Sequence, residues 1–472
     1  MRKMIFMILT LMVVNVSFGQ TEKPENKIVA ENFVKNYNNN DYKAIFSMFA
    51  EVMQNALPID KTTEFLSGLK AQAGNITYRE FVKYENGSFA SYKTIFERAV
   101  FSLNISIDNN SKINGFLVKP FVEENNSENV INNLSKNQLI TKEQSEIIFN
   151  KVKPFPNNTQ ISIAIIRNGK VSYYGVKKSN DTILSTENYK SIFEIGSISK
   201  VFTSTLLASF ITDKKIKLND DINSFLNLSF NNGIKISFKE LANHTSGLPA
   251  LPTNLDLTAV NPENPYKEYN KTDLDEYLTK NLELSNKGEY QYSNLGAGLL
   301  GYTLSKISNV SYDSLLYTKI FSKYNMPNST TSFNKINSTL IKGIDNKGNE
   351  VSNWEFSVLA GAGGILSNVE DLAKFAIAQF DCSNKELKLT RKKTFEVNEN
   401  MDIGLGWHIL KSQSENVWNW HNGGTGGYSS SIVIDTKTKN GIIILSNVSA
   451  FNPNIINIEK LCFELMKTLE KK

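Results

Sequence analysis

The chain has 472 residues, 40% of them hydrophobic, with 52 Lys+Arg against 47 Asp+Glu and a formal charge of +5. That length can bury more than one core and suggests two or three units, and so mild a charge excludes the basic stripe of a nucleic-acid binder. Two cysteines far apart in sequence, Cys382 and Cys462, do not make a disulfide framework; they read either as one bridge in an oxidising compartment or as two thiols acting as small apolar residues.

The first residues predict an export signal. Arg2 and Lys3 form a basic head, residues 4–16 are almost wholly apolar, and Ser17-Phe18-Gly19 supplies the small residues a signal peptidase reads. The apolar run is shorter than the roughly 20 residues a stable membrane span needs. No cysteine follows it to carry a lipid anchor. Residues 1–19 are expected to be cleaved, leaving a periplasmic or secreted protein without a membrane span. Losing two bases and no acid lowers the formal charge from +5 to +3.

Residues 20–122 read as a small α+β domain. Ile28, Phe33, Val34 and Tyr37, then Tyr42, Ile45, Phe46 and Phe49, recur at helical spacing. The pieces ITYREFVKY, SYKTIFERAV, FSLNISID and KINGFLVKPF follow, and each alternates apolar with polar residues as half-buried antiparallel strands do. Helices followed by a meander of strands resemble the cone-shaped fold named after nuclear transport factor two. Residues 123–135 are polar and Asn-rich and read as a linker.

A second domain is expected over residues 136–470. ISIAIIRNGKVSYYGV predicts a hairpin turning at Asn168-Gly169. At the far end, GLGWHIL, VWNWH, YSSSIVIDTKTKNGIIILSNV and residues 455–469 read as strand, strand, hairpin and amphipathic helix. Between them, residues 197–380 are helix-rich. Strands at both ends predict one sheet assembled from the two termini of the domain, with the helices forming a second lobe and a ligand cleft between the two.

The chemistry concentrates in three places. Ser197 precedes Lys200 by three residues, so a helix would put both on one face. A serine needs a neighbour to take its proton, and the apolar residues Val201, Phe202, Leu206, Leu207 and Phe210 would bury Lys200 and push its pKa down. Alone, S-x-x-K is a weak signal, since a capping serine beside a solvated lysine spells the same thing. The second place is Tyr290-Gln291-Tyr292-Ser293-Asn294, ahead of a helix rich in small residues (Gly296, Ala297, Gly298, Gly301). The third is His421-Asn422-Gly423 at a strand end, in a glycine-rich bend that lets a strand edge approach a ligand.

S-x-x-K, Y-x-N and a final [K/H]-x-G, in that order, resemble the penicillin-recognising serine hydrolases, in particular the class C β-lactamase-like branch that includes D-Ala-D-Ala carboxypeptidases, D-aminopeptidases and esterases. The phrases LANHTSGLP (241–249), GAGG (361–364) with Leu366-Ser367 and Glu370-Asp371-Leu372, and GLGW (404–407) extend the resemblance over roughly residues 135–468. It implies an α+β fold: a β-lactamase/transpeptidase-like domain, an antiparallel sheet flanked by helices plus a helical lobe, preceded by the small α+β domain. It also implies that Ser197 is the nucleophile, that Lys200 and Tyr292 share the acid–base work, and that Asn294 holds Lys200 and the substrate amide. His421 would bind a carboxylate or tune Tyr292, Gly423 would contact substrate, and the N–H groups of Ser197 and Gly424 would form an oxyanion hole. Tyr290, His244 and His408 read as structural or packing residues.

The expected function is hydrolysis of an amide or ester through an acyl-serine intermediate, on a small molecule or peptide such as a cell-wall D-amino-acid peptide or a β-lactam. Histidine rather than lysine at 421 lowers the expectation of efficient β-lactam hydrolysis. No metal or other cofactor is implied, for the chain has no H-E-x-x-H and no paired His/Cys spacing. G-x-S-x-G is absent too, which argues against an α/β-hydrolase. Two rivals stand beside this reading: a penicillin-binding or peptide-sensing protein that acylates but turns over slowly, and an inactive scaffold served by its N-terminal domain. That domain is also the expected seat of a homodimer.

Overall fold

The computed structural model describes residues 21–470 apart from 86–87, 122–128, 135–138, 258, 337 and 412–415. The expected signal, residues 1–19, and most of the expected linker lie outside the described residues. The chain divides into two compact units, Met1–Val122 and Glu123–Lys472.

The first unit runs α1 (Pro24–Asn38), α2 (Tyr42–Met48), α3 (Glu51–Ala56) and α4 (Ile59–Ala73), then β1 (Ile76–Glu85), β2 (Phe89–Phe96), β3 (Val100–Ile107) and β4 (Ile113–Pro120). Helices first and a meander second is the order the sequence predicts. Pro24 opens α1, where its missing N–H costs nothing, and the Asp41 side chain caps α2 by accepting from the Ala44 N–H. The strands pair antiparallel in the order β1-β2-β3-β4. Phe33, Tyr37, Ile45 and Leu66 from the helices meet Tyr92, Leu103 and Ile105 from the sheet in one core.

The second unit begins with β5 (Ile131–Asn133), α5 (Lys142–Val152), β6 (Gln160–Arg167), β7 (Lys170–Ser179) and β8 (Thr182–Thr186). Its middle holds β9 (Phe193–Glu194), α6 (Ser199–Thr212), α7 (Asn223–Leu226), α8 (Phe238–Ala242), α9 (Lys271–Glu276), α10 (Asn294–Ser308), α11 (Tyr312–Leu316), β10 (Leu366–Ser367), α12 (Val369–Ala378) and α13 (Lys385–Thr390). It closes with β11 (Phe395–Asn398), β12 (Met401–Ile403), β13 (His408–Lys411), β14 (Val417–Gly424), β15 (Ser429–Asp435), β16 (Asn440–Ser446) and α14 (Ile456–Glu470).

Ten of these strands form one sheet in the order β11-β12-β13-β14-β15-β16-β6-β7-β8-β5. The two ends of the domain meet where β16 pairs antiparallel with β6, setting Ile443 opposite Ala164. The β6–β7 turn falls at Asn168 and Gly169, whose φ values of 51° and 79° are the left-handed pair a two-residue hairpin requires. Alternate residues of β15, β16 and β6 bury opposite faces. Ile432, Ile443, Leu445 and Ala164 join the helical lobe, while Val433, Ile442, Ile444 and Ile163 pack with Ile148 of α5 and Leu461 and Leu465 of α14.

Two expectations need correction. Residues 131–133, placed in the linker, form a strand: the Ile131 N–H reaches the Asp181 carbonyl at 2.8 Å and the segment extends the open edge at β8. That pairing is parallel, so the sheet is antiparallel except at this edge. A three-residue exposed strand has no pattern of its own and exists only because the edge offers unpaired backbone groups.

Candidate active site

The start of α6 is packed on every side. From Ile192 to Phe210 each residue is buried except Ser197, which is partly exposed. A helix buried all round belongs in the middle of a lobe; Ser and Thr hydroxyls of this one bond its own carbonyls or its neighbours, and it carries the serine at its mouth, in a 3-10 turn over Gly196–Ile198. Gly196 has a φ of +50°, and a Cβ there would stand 2.5 Å from the Gly424 nitrogen, so only glycine lets the turn sit against β14.

Lys200 Nζ lies 3.0 Å from Ser197 Oγ, 2.7 Å from Asn294 Oδ1 and 2.7 Å from the Ala362 carbonyl oxygen. Burial pushes its pKa well below the ordinary lysine value. Asn294 Oδ1 and the Ala362 carbonyl can only accept, so each takes an N–H of Lys200, and Ser197 Oγ is the third partner of the same nitrogen. The Nζ also stands 4.8 Å from the centre of the Tyr292 ring.

Tyr292 and Asn294 are set by the turn that the sequence phrase 241–249 makes. His244, buried at a φ of 61°, accepts the Ser293 N–H on its Nδ1 at 3.2 Å, and its ring is 4.6 Å from that of Tyr292. Ser293 caps α10 by accepting the Gly296 N–H at 2.9 Å, which starts the helix at Asn294. Burial raises the Tyr292 pKa, and the Ser197 side chain is the partner that opposes the rise. Tyr292 therefore rests as a neutral phenol. The small residues of α10 matter for the same centre: a Cβ on Gly298 would come within 2.7 Å of Leu359, and one on Gly361 within 2.7 Å of the Ala297 carbonyl. That close approach brings the Ala362 carbonyl to Lys200.

On the sheet side, β14 carries the third motif. A Cβ on Gly423 would lie 2.1 Å from the Ile195 carbonyl and 2.8 Å from the Ser197 nitrogen. A cavity of about 450 Å³ opens here, lined by Ser197, Tyr290, Tyr292, His408, Trp420, Asn422, Gly423, Gly424 and Glu459 among others. Lys200, Asn294 and His421 stand behind this lining. His421 is 1% exposed, its Nδ1 lies 2.6 Å from the Asn422 carbonyl oxygen, and its ring centre is 6.4 Å from Tyr292 and 5.1 Å from His408. Its nearness to Tyr292 fits tuning of the phenol; a carboxylate in the cavity would not meet it directly. Burial holds its pKa well below the usual histidine range.

Several lining residues escape sequence reasoning. His408 and Tyr290, read as packing residues, face the cavity, joined at 3.0 Å between His408 Nε2 and the Tyr290 hydroxyl. The signal for His408 is its strand: β13 sets it opposite Trp420 on β14, one residue before the third motif. Ala362 acts through its backbone and carries no residue-type signal at all. Among the described residues no group of His, Cys, Asp and Glu is placed to hold a metal.

A serine hydrogen-bonded to a buried lysine, with a tyrosine and an asparagine from a second element, on an α+β sheet with a helical lobe, defines the serine hydrolases of the β-lactamase and penicillin-binding superfamily. Residues 150–457 match the Beta-lactamase family model, and the chain belongs to that family. Residues 30–116 match a second family, described as a protein of unknown function (DUF3887).

Relatives include a β-lactamase of Pseudomonas fluorescens, 26% identical over 56% of this chain and 74% of that protein, and a β-lactamase of Providencia stuartii, 28% identical over 48% and 57%. Protein flp of Staphylococcus aureus is 24% identical over 62% of this chain and 61% of its own length. The chain thus spans about three fifths of the length of the latter two. Similar folds are an octameric penicillin-binding protein homologue from Pyrococcus abyssi (TM-score 0.58, 22% identity, 70% of this chain and 77% of that one) and a class C β-lactamase from Rhodobacter sphaeroides (TM-score 0.58, 16% identity, 70% and 100%).

Proposed function

We propose that this protein hydrolyses an amide or ester bond through an acyl group carried on Ser197. The observation that carries the reading is Lys200: buried, its Nζ held by Asn294 and Ala362 at 3.0 Å from Ser197 Oγ, with burial pushing its pKa down so that its deprotonated form can take the Ser197 proton. Ser197 Oγ–H gives its proton to Lys200 Nζ as Oγ bonds to the substrate carbonyl carbon, and the C=O π pair moves onto the oxygen. That oxyanion meets the N–H groups of Ser197 and Gly424. When it collapses, the C–N or C–O bond to the leaving group breaks. Tyr292, a neutral phenol at rest, protonates the leaving atom and is reprotonated from Lys200. Water then repeats the sequence to free Ser197. Each oxyanion donor contributes about 3 kcal/mol in enzymes of this kind.

D-amino-acid peptides of the cell wall, short esters and β-lactams are the substrate classes we assign to the site. His421 stays uncharged at neutral pH, so a substrate carboxylate gains less from it than from lysine. We place the mature protein in the periplasm or outside the cell, on the expected cleavage after residue 19; among the described residues no helix is long and apolar enough to cross a membrane. Association through residues 20–122 is proposed as well, and gel filtration of the full chain tests it.

The test of the reaction is intact-protein mass spectrometry after exposure to a penicillin, a D-Ala-D-Ala peptide or a short-chain ester, with Ser197→Ala alongside. Product that depends on Ser197, without a lasting adduct, is the expected result. A lasting adduct on wild type alone moves the protein to the slow acylating sensor. No Ser197-dependent reaction with any of the three overturns the reading. His421→Lys is expected to alter peptide and ester turnover; unchanged rates would remove His421 from the mechanism.

A further inference from the structure

The wall of the cavity at Ser197 has a definite sign. Glu459, in the first turn of α14, lines it together with Asn422, whose Nδ2 donates to Glu459 Oε1. A carboxylate in the first turn of a 15-residue helix is favoured by the dipole of that end. The described lining includes no lysine and no arginine. Lys200 lies behind Ser197, occupied on three sides, and burial keeps it as well as His408 and His421 below their ordinary proton affinities. Tyr290 and Tyr292 are phenols whose pKa burial raises. The acidic group of this wall is Glu459: burial raises its pKa from the ordinary carboxylate value, the Asn422 side chain opposes that rise, and no lysine or arginine of the described lining stands against it. Beside it stand Trp420, an aromatic face that suits a cation, and Ile458, which keeps the wall partly apolar.

We infer that Glu459, oriented by Asn422, selects the substrate: it takes an ammonium group and turns away a carboxylate. This rests on the hydrolase reading above and adds to it the class of group the substrate carries. The third motif agrees, because it lacks the lysine that would hold a substrate carboxylate. Here that position is an uncharged histidine behind the wall, and the acidic group comes from a helix that no motif marks.

The test uses three boronic acids that bond reversibly to an active serine: phenylboronic acid, 3-(aminomethyl)phenylboronic acid and 3-carboxyphenylboronic acid. Dissociation constants are measured for the full-length protein, Glu459→Gln, Glu459→Lys and Ser197→Ala, and each is divided by the value for phenylboronic acid in the same protein. Wild type is expected to bind the ammonium compound at least about tenfold more tightly than the carboxylate. Glu459→Gln should shrink that ratio to about threefold or less, and Glu459→Lys should invert it. An equal ratio in wild type and Glu459→Gln, or a wild-type preference for the carboxylate, overturns the inference while Ser197-dependent binding leaves the hydrolase reading in place. Binding of none of the three, or binding that survives Ser197→Ala, overturns the hydrolase reading and this inference with it.

Discussion

Lys200 Nζ lies 2.7 Å from the carbonyl oxygen of Ala362, a residue 162 positions further along the chain. That contact and Asn294 Oδ1 at 2.7 Å fill two positions around the nitrogen and leave the third for Ser197 Oγ at 3.0 Å. Lys200→Met is expected to lower kcat/KM by about a thousandfold and at the same time to raise the melting temperature by about 2 °C or more. The second effect follows from linkage. The unfolded lysine titrates near 10.4 and the folded one well below it. Unfolding therefore takes up a proton between those values, and wild-type stability rises with pH up to about 10.4. The variant should lack that slope, which calorimetry between pH 6 and 10 reads directly. A less stable Lys200→Met would mean the lysine is charged in the fold.

Gly423 is a place where β14 lies directly against the serine turn. Because an added Cβ would meet the Ile195 carbonyl at 2.1 Å, Gly423→Ala must shift β14 or the serine turn. We expect kcat/KM on a short ester to fall about a hundredfold, the scale of a lost oxyanion donor, with a melting temperature several degrees lower. Gly68→Ala is the contrast: it sits inside α4, a Cβ there meets nothing within 4 Å, and the change should stabilise by about 0.5–1 kcal/mol. Equal losses in both variants would contradict the packing argument.

Glu194 precedes the serine turn, and burial pushes its carboxyl up to about 7 while the Asn353 side chain and the Trp354 N–H donate to Oε1 at 2.7 and 2.9 Å. The unfolded group titrates near 4.3, so its contribution is fully present below that pH and is lost as pH rises through about 7. Glu194→Gln should flatten the fall in melting temperature between pH 5 and 8. An unchanged pH profile would show that Glu194 is not protonated in the fold.

The two cysteines are free, Cys382 exposed and Cys462 buried. Burial pushes the Cys462 thiol up to about 12, and its Sγ approaches the Ile442 carbonyl at 3.7 Å. The native protein should therefore titrate one thiol with a disulfide reagent and two in denaturant. No native reactivity, or a bridged mass, would contradict this.

Much of this was legible before any coordinates, and the particulars show why. The Asn168-Gly169 hairpin and the 3-residue step from Ser197 to Lys200 are local facts, fixed by turn chemistry and helix geometry. The pairing of β16 with β6 was reachable because both segments are β-rich runs at the ends of one domain. The strand at 131–133 was not, since its three residues alternate nothing and borrow their geometry from β8. His408 was missed because its role comes from lying across from Trp420. Glu459 was missed because the first turn of a C-terminal amphipathic helix looks like any solvated helix start.

The sequence alone determined the class of chemistry: the serine, lysine, tyrosine and asparagine are spelled out in order, and hydrophobic periodicity lays out the sheet and helices that carry them. Tertiary structure alone decided the state of those groups. Whether Lys200 holds a proton depends on how much water and which acceptors surround it, and those acceptors come from α10 and from the backbone at 362. The sign of the cavity depends on which helix end packs against β14. A side chain's identity is written in the chain, but its proton affinity and the field around it arise from neighbours that only folding brings within a few ångströms.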